Sequence, residues 1–328
     1  MARISRLPTG QGGEVLPLAA GENRQRFPAK STPSRIAPVT IAPGVVFGGP
    51  LPCLIMGPCV IESEQHALMM AKKVKAAATK VGLPVVFKAS FDKANRTSHK
   101  SFRGVGLEEG MRILAFIRAA TGLPVTTDIH ECWQVEPAAK VVDLLQLPAL
   151  LCRQTDLVEA CAASGVPTSI KKGQFLAPWD CRNLVDKFRQ AGKGVKTTPK
   201  GDRATKDRLI LIERGTSFGY NTLVSDFRSL PMLRSLGVPV VYDGTHSVQA
   251  PGGMGTSSGG ASYLAPPLMR AAMAVGVEGI FLETHDRPAK ALSDGANSIP
   301  LPELPELLRD LRAIHDLLGR RAPPQPRG

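Results

Sequence analysis

One hydropathy pattern recurs along this chain. An amphipathic helical stretch leads to glycine, then to an apolar residue with proline, then to a near-continuous apolar run that ends in a polar side chain. GLPV stands at 82–85 and again at 122–125, and GVP at 165–167 and 237–239. Glycine suits the left-handed position just past a helix, and proline after it stops the helix from continuing. The runs that follow do not alternate, as expected of parallel strands covered on both faces. Eight are predicted, over 53–57, 85–89, 125–129, 142–147, 168–172, 209–213, 240–243 and 279–283. Helical periodicity over 63–81, 108–120, 157–163, 263–275 and 303–318 follows most of them. Eight βα units in a chain of 328 residues predict an α/β fold, a (β/α)8 TIM barrel. The segment 39–49 is then a short hairpin capping the barrel bottom. An open doubly wound sheet is the alternative, but its Gly-rich turn after the first strand is replaced here by GPCVIES.

The polar residues that end these runs share an address. Cys59 follows the first strand, Lys88 lies near the end of the second, and Asp128 and His130 close the third. Gln146 ends the fourth, Lys171 and Lys172 the fifth, Arg214 follows the sixth, Asp243 and His246 the seventh, and Glu283 ends the eighth. In a barrel, the carboxyl ends of all strands open on the one mouth where active sites are built. The stretch 85–104 adds Lys93, Arg96, Lys100 and Arg103 with Asn95, Thr97 and Ser98. Guanidinium forks, ammonium charges and neutral donors in one loop suit a phosphate.

Charge changes the picture less than its size suggests. The net +13 invites a nucleic-acid reading. Yet residues 1–44 and 190–208 each carry six Lys/Arg against two acids, and 318–328 carry three Arg, which together hold eleven of the thirteen excess charges. The excess therefore sits in flanks and an insert near 191–206, without the aromatic interleaving that base stacking needs. No nucleic-acid or membrane partner is expected, and no apolar run reaches the ~18 residues of a membrane span. The expected organisation is a basic flexible tail over 1–44, a barrel over 45–318 and a C-terminal tail over 319–328, with a cleaved organelle transit peptide at the N-terminus as a further possibility. Six cysteines without CxxC spacing indicate a reducing cytoplasm. Cys53, Cys132, Cys152, Cys161 and Cys181 read as packing residues.

Two constellations carry chemistry. Lys88, Lys93, Arg96, Lys171, Lys172 and Arg214 aimed at one opening would repel each other unless anions were present, so the expected ligands carry several negative charges, plausibly two phosphates. Cys59, His246, Glu283 and Asp294 offer thiolate, imidazole and carboxylates, a mixed set suited to Zn²⁺, Fe²⁺ or Mn²⁺. A Schiff-base aldolase with Lys171 as nucleophile is a third reading.

Beyond these features the chain resembles the 3-deoxy-D-manno-octulosonate 8-phosphate (Kdo-8-phosphate) synthase family. GPCVIES (57–63), FKASFDKANRTS (87–98), GLEEGM (106–111), QLPALLCRQTDL (146–157), KKGQF (171–175), ERGTSFGY (213–220), DGTHSVQ (243–249) and SDGANSIPL (293–301) carry the likeness. It implies condensation of phosphoenolpyruvate with arabinose 5-phosphate and water, feeding lipopolysaccharide synthesis in a Gram-negative cytoplasm. The alternative is a 3-deoxy-D-arabino-heptulosonate 7-phosphate synthase using erythrose 4-phosphate. That family typically reads KPRTS where this chain reads KANRTS. The resemblance places phosphoenolpyruvate on Lys88, Gln146, Lys171 and Arg214, and the sugar phosphate on Lys93, Asn95, Arg96 and Thr97. It also implies a homotetramer in which Arg153 reaches a neighbouring subunit's sugar-phosphate site. Members with Cys at position 59 use a divalent ion, with His246, Glu283 and Asp294 as further ligands. Lys93, His246 and Asp243 are the candidate catalytic groups, with Glu283 assisting.

Overall fold

A computed structural model of the protein describes residues 36–95, 99, 101–201, 207–251 and 259–318. Eight parallel strands form the sheet: β1 (Cys53–Gly57), β2 (Val85–Lys88), β3 (Val125–Asp128), β4 (Leu144–Leu147), β5 (Thr168–Lys171), β6 (Leu209–Glu213), β7 (Val240–Asp243) and β8 (Gly279–His285). Each pairs with the next in sequence order, and β8 pairs with both β7 and β1, so the sheet closes into a barrel. After each strand comes a helix: α1 (Glu64–Val81), α2 (Leu107–Thr121), α3 (Val135–Ala139), α4 (Thr155–Ala163), α5 (Cys181–Ala191), α6 (Ser229–Arg234), α7 (Ala265–Val275) and α8 (Leu304–Leu318). This is the (β/α)8 barrel expected from the hydropathy pattern.

The helix signals act where the sequence puts them. Ser63 caps α1 by accepting the His66 amide at 3.1 Å. Gly82 and Gly122 end α1 and α2 at φ 66° and 70°, in the left-handed region that glycine enters freely. Two strands depart from their expected limits. Val142 still donates to the Ala138 carbonyl, which belongs to the turn out of α3, so β4 begins at Leu144 and not at 142. β8 runs on to His285 because Thr284 and His285 gain a further partner in Ile299–Pro300.

Strand pleating sorts the barrel into two apolar bodies. One face of each strand packs against the helices. The other face fills the interior with Cys53, Ile55, Val86, Leu144, Ile210, Ile212, Val241 and Phe281. A hairpin of Val39–Ala42 and Val45–Phe47 closes the bottom, pressing Val39, Val45 and Phe47 into that interior. Val39 is fully buried there, so the hairpin is part of the packed body. Above the apolar layer, the same inward parity continues through Lys88, Asp128, Gln146, Lys171, Asp243 and Glu283. A greasy floor and a charged ceiling thus come from one alternation.

Candidate active site

The carboxyl ends of the strands surround a cavity of about 870 Å³ lined by Lys88, Lys93, Asp128, Lys171, Arg214, His246, Glu283 and Asp294, among others. Lys88 Nζ donates to Glu283 Oε1 at 2.7 Å and to the Cys59 carbonyl at 2.9 Å. Lys171 Nζ donates to Asp243 Oδ2 at 2.8 Å and lies 3.8 Å from the centre of the Phe281 ring. Lys93 Nζ bonds Ser90 Oγ at 2.9 Å and stands 3.6 Å from Asp128. Asp128 in turn accepts from Ser90 and from the Gln146 amide. The lysines therefore do not face one another bare. Their mutual repulsion, expected from the sequence, is offset by carboxylates interleaved from neighbouring strands.

Arg214 differs from them. Its Nη2 bonds Gln249 Oε1 at 3.0 Å, while its Nη1 is buried with no hydrogen-bond partner. Burial lowers its pKa below the ordinary arginine value. Gln146 likewise keeps a buried Oε1 without a partner. Buried polar atoms left unpaired are uncommon and costly, and here both belong to residues at strand ends beneath the mouth.

Lys172 corrects the expected basic set. Successive residues of a strand face opposite sides, so Lys171 points into the barrel and Lys172 away from it. Its Nζ bonds the Gly173 and Leu176 carbonyls and Thr216 Oγ1, each at 3.2 Å, and stands 3.6 Å from Glu213. One further expectation changes. Cys132 is exposed and is not a packing residue, unlike Cys53, Cys152, Cys161 and Cys181. Arg153 is exposed just past the turn Ala149–Leu151, outside the cavity lining. Asn95 lines the rim, whereas Arg96 and Thr97 lie outside the described residues.

Cys59, Glu283 and Asp294 present Sγ and carboxylate oxygens within 4.8 Å of one another. Cys59 Sγ meets Ser293 Oγ at 2.8 Å and Asp294 Oδ2 at 3.3 Å. Burial, then the Glu283 charge, push its thiol well above the usual range. His246 stands beside this group: Nε2 is 3.7 Å from Glu283 Oε1, and Nδ1 is 2.8 Å from Asp243 Oδ2. Burial alone would raise the carboxyls of Asp243 and Glu283. The groups around them outweigh it, the His246 ring and Lys171 at Asp243 and chiefly Lys88 at Glu283, and hold both well below the usual range. One thiol, two carboxylates and an adjacent imidazole make a donor set that fits a borderline divalent ion.

Several residues were not singled out from the sequence. Ser90 links Lys93 to Asp128 and sits three positions before that lysine, in a motif read for its cations and for Asn95, Thr97 and Ser98. Gln249 joins Arg214 to Asp294 Oδ1 at 3.4 Å. Ser293 touches Cys59, and Glu62 holds the loop that carries Ser293. Each lies inside a motif that carried the family likeness, but none was given a role there.

Known proteins agree with this geometry. Residues 30–318 match the model of the DAHP synthetase I family. A 2-dehydro-3-deoxyphosphooctonate aldolase of Cupriavidus taiwanensis is 55% identical over 267 residues, 81% of this chain and 90% of that protein. Proteins of the same name from Thioalkalivibrio sulfidiphilus and Geobacter metallireducens are 55% and 54% identical, over 81% and 82% of this chain and 90% and 95% of theirs. This chain belongs to the DAHP synthetase I family, and within it to the 2-dehydro-3-deoxyphosphooctonate aldolases, the Kdo-8-phosphate synthases whose motifs it carries.

Proposed function

We propose that this chain joins phosphoenolpyruvate to D-arabinose 5-phosphate with addition of water, giving 3-deoxy-D-manno-octulosonate 8-phosphate and inorganic phosphate. The observation that carries the reading is Arg214: a buried guanidinium with one nitrogen unpaired, at the end of a strand, beside Lys171 and Lys88 in one cavity. A phosphate or carboxylate of phosphoenolpyruvate supplies the missing acceptor, and the buried Gln146 takes part at the same level. Lys93 lines the same cavity and Asn95 is exposed at its rim; these two, with Arg96 and Thr97 from outside the described residues, are the proposed holders of the sugar phosphate.

In the condensation, C3 of phosphoenolpyruvate attacks the aldehyde carbon, and water adds at C2. The hemiketal phosphate formed then loses inorganic phosphate by C–O cleavage. The aldehyde oxygen gains a proton and the attacking water gives one up. Holding two polyanions in line is the main task, and orientation of this kind is worth up to roughly 7–11 kcal/mol of barrier. Lys93 donates towards the aldehyde oxygen. His246, held by Asp243 through Nδ1, has Nε2 as its one remaining nitrogen, which would serve as an ion ligand. Cys59, Glu283, Asp294 and His246 would hold a divalent ion, Zn, Fe or Mn, whose chemistry is Lewis acidity towards an oxygen ligand. The working assembly is a homotetramer in which Arg153 completes a neighbour's sugar-phosphate site, and its setting is the cytoplasm. No helix of the described residues is long and apolar enough to cross a membrane.

A phosphate-release assay with two sugars tests the reading. Arabinose 5-phosphate is expected to support turnover and erythrose 4-phosphate to support little; the reverse preference would make this a heptulosonate synthase. In the same assay Arg153→Ala is expected to raise KM for the sugar and leave KM for phosphoenolpyruvate unchanged, and equal effects on both would remove Arg153 from the sugar site.

A further inference from the structure

Glu62 ties together the two loops that carry candidate ion ligands. It stands three residues beyond Cys59, in the loop from β1 to α1. Its Oε1 accepts the Leu292 amide at 2.8 Å, in the loop that leaves β8. Ser293 and Asp294 come next in the chain, and both reach Cys59 Sγ. One carboxylate oxygen thus fastens the backbone just before the two side chains that meet the thiol.

Two more observations support a brace. His285 Nε2 lies 3.1 Å from the same Glu62 oxygen, and the Arg287 amide donates to His285 Nδ1 at 3.0 Å. His285 Nε2 thus faces the Glu62 carboxylate, while Nδ1 faces both the Arg287 amide and, at 3.2 Å, Asp286 Oδ1. Glu62, His66 and His285 also stand close enough for an ion of their own. Here, however, His285 Nε2 is engaged by Glu62 and His66 Nε2 by Asp286 at 3.0 Å. Asp294 itself sits at φ 45° and ψ 30°, a left-handed backbone that a non-glycine residue keeps only when its surroundings hold it there. On its far side the Asn297 amide and Ser298 hydroxyl donate to the Asp294 carbonyl at 3.1 and 3.2 Å. Glu62 supplies the hold on the near side.

We infer that Glu62 is a positioning residue that pre-forms the ion site, keeping Asp294 against Cys59 through the Leu292 amide before any ion arrives. The inference rests on reading Cys59, Glu283, Asp294 and His246 as ion ligands. Groups that orient metal ligands in this way typically contribute about 10- to 100-fold in metal affinity.

Zn²⁺ titration of the metal-depleted full chain against a chromophoric chelator tests it, with Co²⁺ in parallel to read thiolate-to-cobalt absorption. Glu62→Ala is expected to weaken binding about 10- to 100-fold. Glu62→Gln is expected to stay close to wild type, because its amide oxygen accepts the same N–H. Wild-type affinity in Glu62→Ala overturns the inference, and so does an equal loss in both variants, which would make charge and not the hydrogen bond responsible. Hydrogen exchange at the Leu292 amide of the metal-free wild type decides the matter even where Glu62→Ala does not fold: protection supports the brace and free exchange removes it. A wild type that binds neither ion sinks the ligand assignment, and the brace with it.

Discussion

At the scale of single residues, the site is organised by pairing buried charges, and Arg214 is the exception that matters. Removing one partner of a buried ion pair strands the other, so Lys88 with Glu283 and Lys171 with Asp243 are poor places to separate binding from stability. Arg214 has no carboxylate within ion-pairing distance among the described residues and is already unpaired at Nη1. Arg214→Ala is therefore expected to cost phosphoenolpyruvate recognition without unfolding the barrel. Losing a buried charged contact to a ligand costs about 2–5 kcal/mol, which is on the order of 30-fold or more in kcat/KM. Arg214→Lys should recover only part of this, since an ammonium lacks the planar fork. The checks are steady-state kinetics and thermal melting. A large fall in melting temperature with an unchanged KM for phosphoenolpyruvate would recast Arg214 as structural.

Elements tell a different story from side chains. Phe47 of the bottom hairpin is fully buried against the barrel interior, close to where Gly279 begins β8. Phe47→Ala should cost about 3–5 kcal/mol through lost burial and the cavity left behind. A fall in melting temperature on the order of 10 °C follows, while turnover at permissive temperature should change little because the mouth is at the opposite end. An unshifted melting curve would show that the hairpin merely rests on the barrel. The eight strands and most helices were legible because continuous apolar runs, glycine stops and prolines act locally. The address of Cys59, Lys88, Gln146, Lys171, Arg214, Asp243 and Glu283 followed from chain direction, since parallel strands in a barrel end at one mouth. The failures were of other kinds. Lys172 was misplaced because one residue of register separates the inside of a strand from its outside. The carboxylate paired with each lysine was invisible because it comes from a different strand, tens of residues away. Glu62 and Gln249 act through loops whose meeting only the closed sheet brings about.

For the whole molecule, the charge balance is the first lesson. The +13 of the sequence is concentrated in its flanks and one insert. At the mouth, among the described residues, Lys88, Lys93, Lys171 and Arg214 are matched by Asp128, Asp243, Glu283 and Asp294. Attraction of a polyanion there depends on where individual charges point and not on an overall positive field. The second lesson lies in the floor laid by Val39, Val45 and Phe47. A vessel sealed below has a single doorway, so whatever sits deepest has to come in ahead of whatever sits above it. Lys88, Lys171 and Arg214 are at depth, and Asn95 is exposed at the threshold. Arabinose 5-phosphate should give calorimetric heat only after phosphoenolpyruvate is in place, and equal heat with either ligand added first would show that the two do not queue. On this view the filled interior, remote from every reacting atom, leaves the mouth as the one way in and so sets the order in which the two ligands arrive.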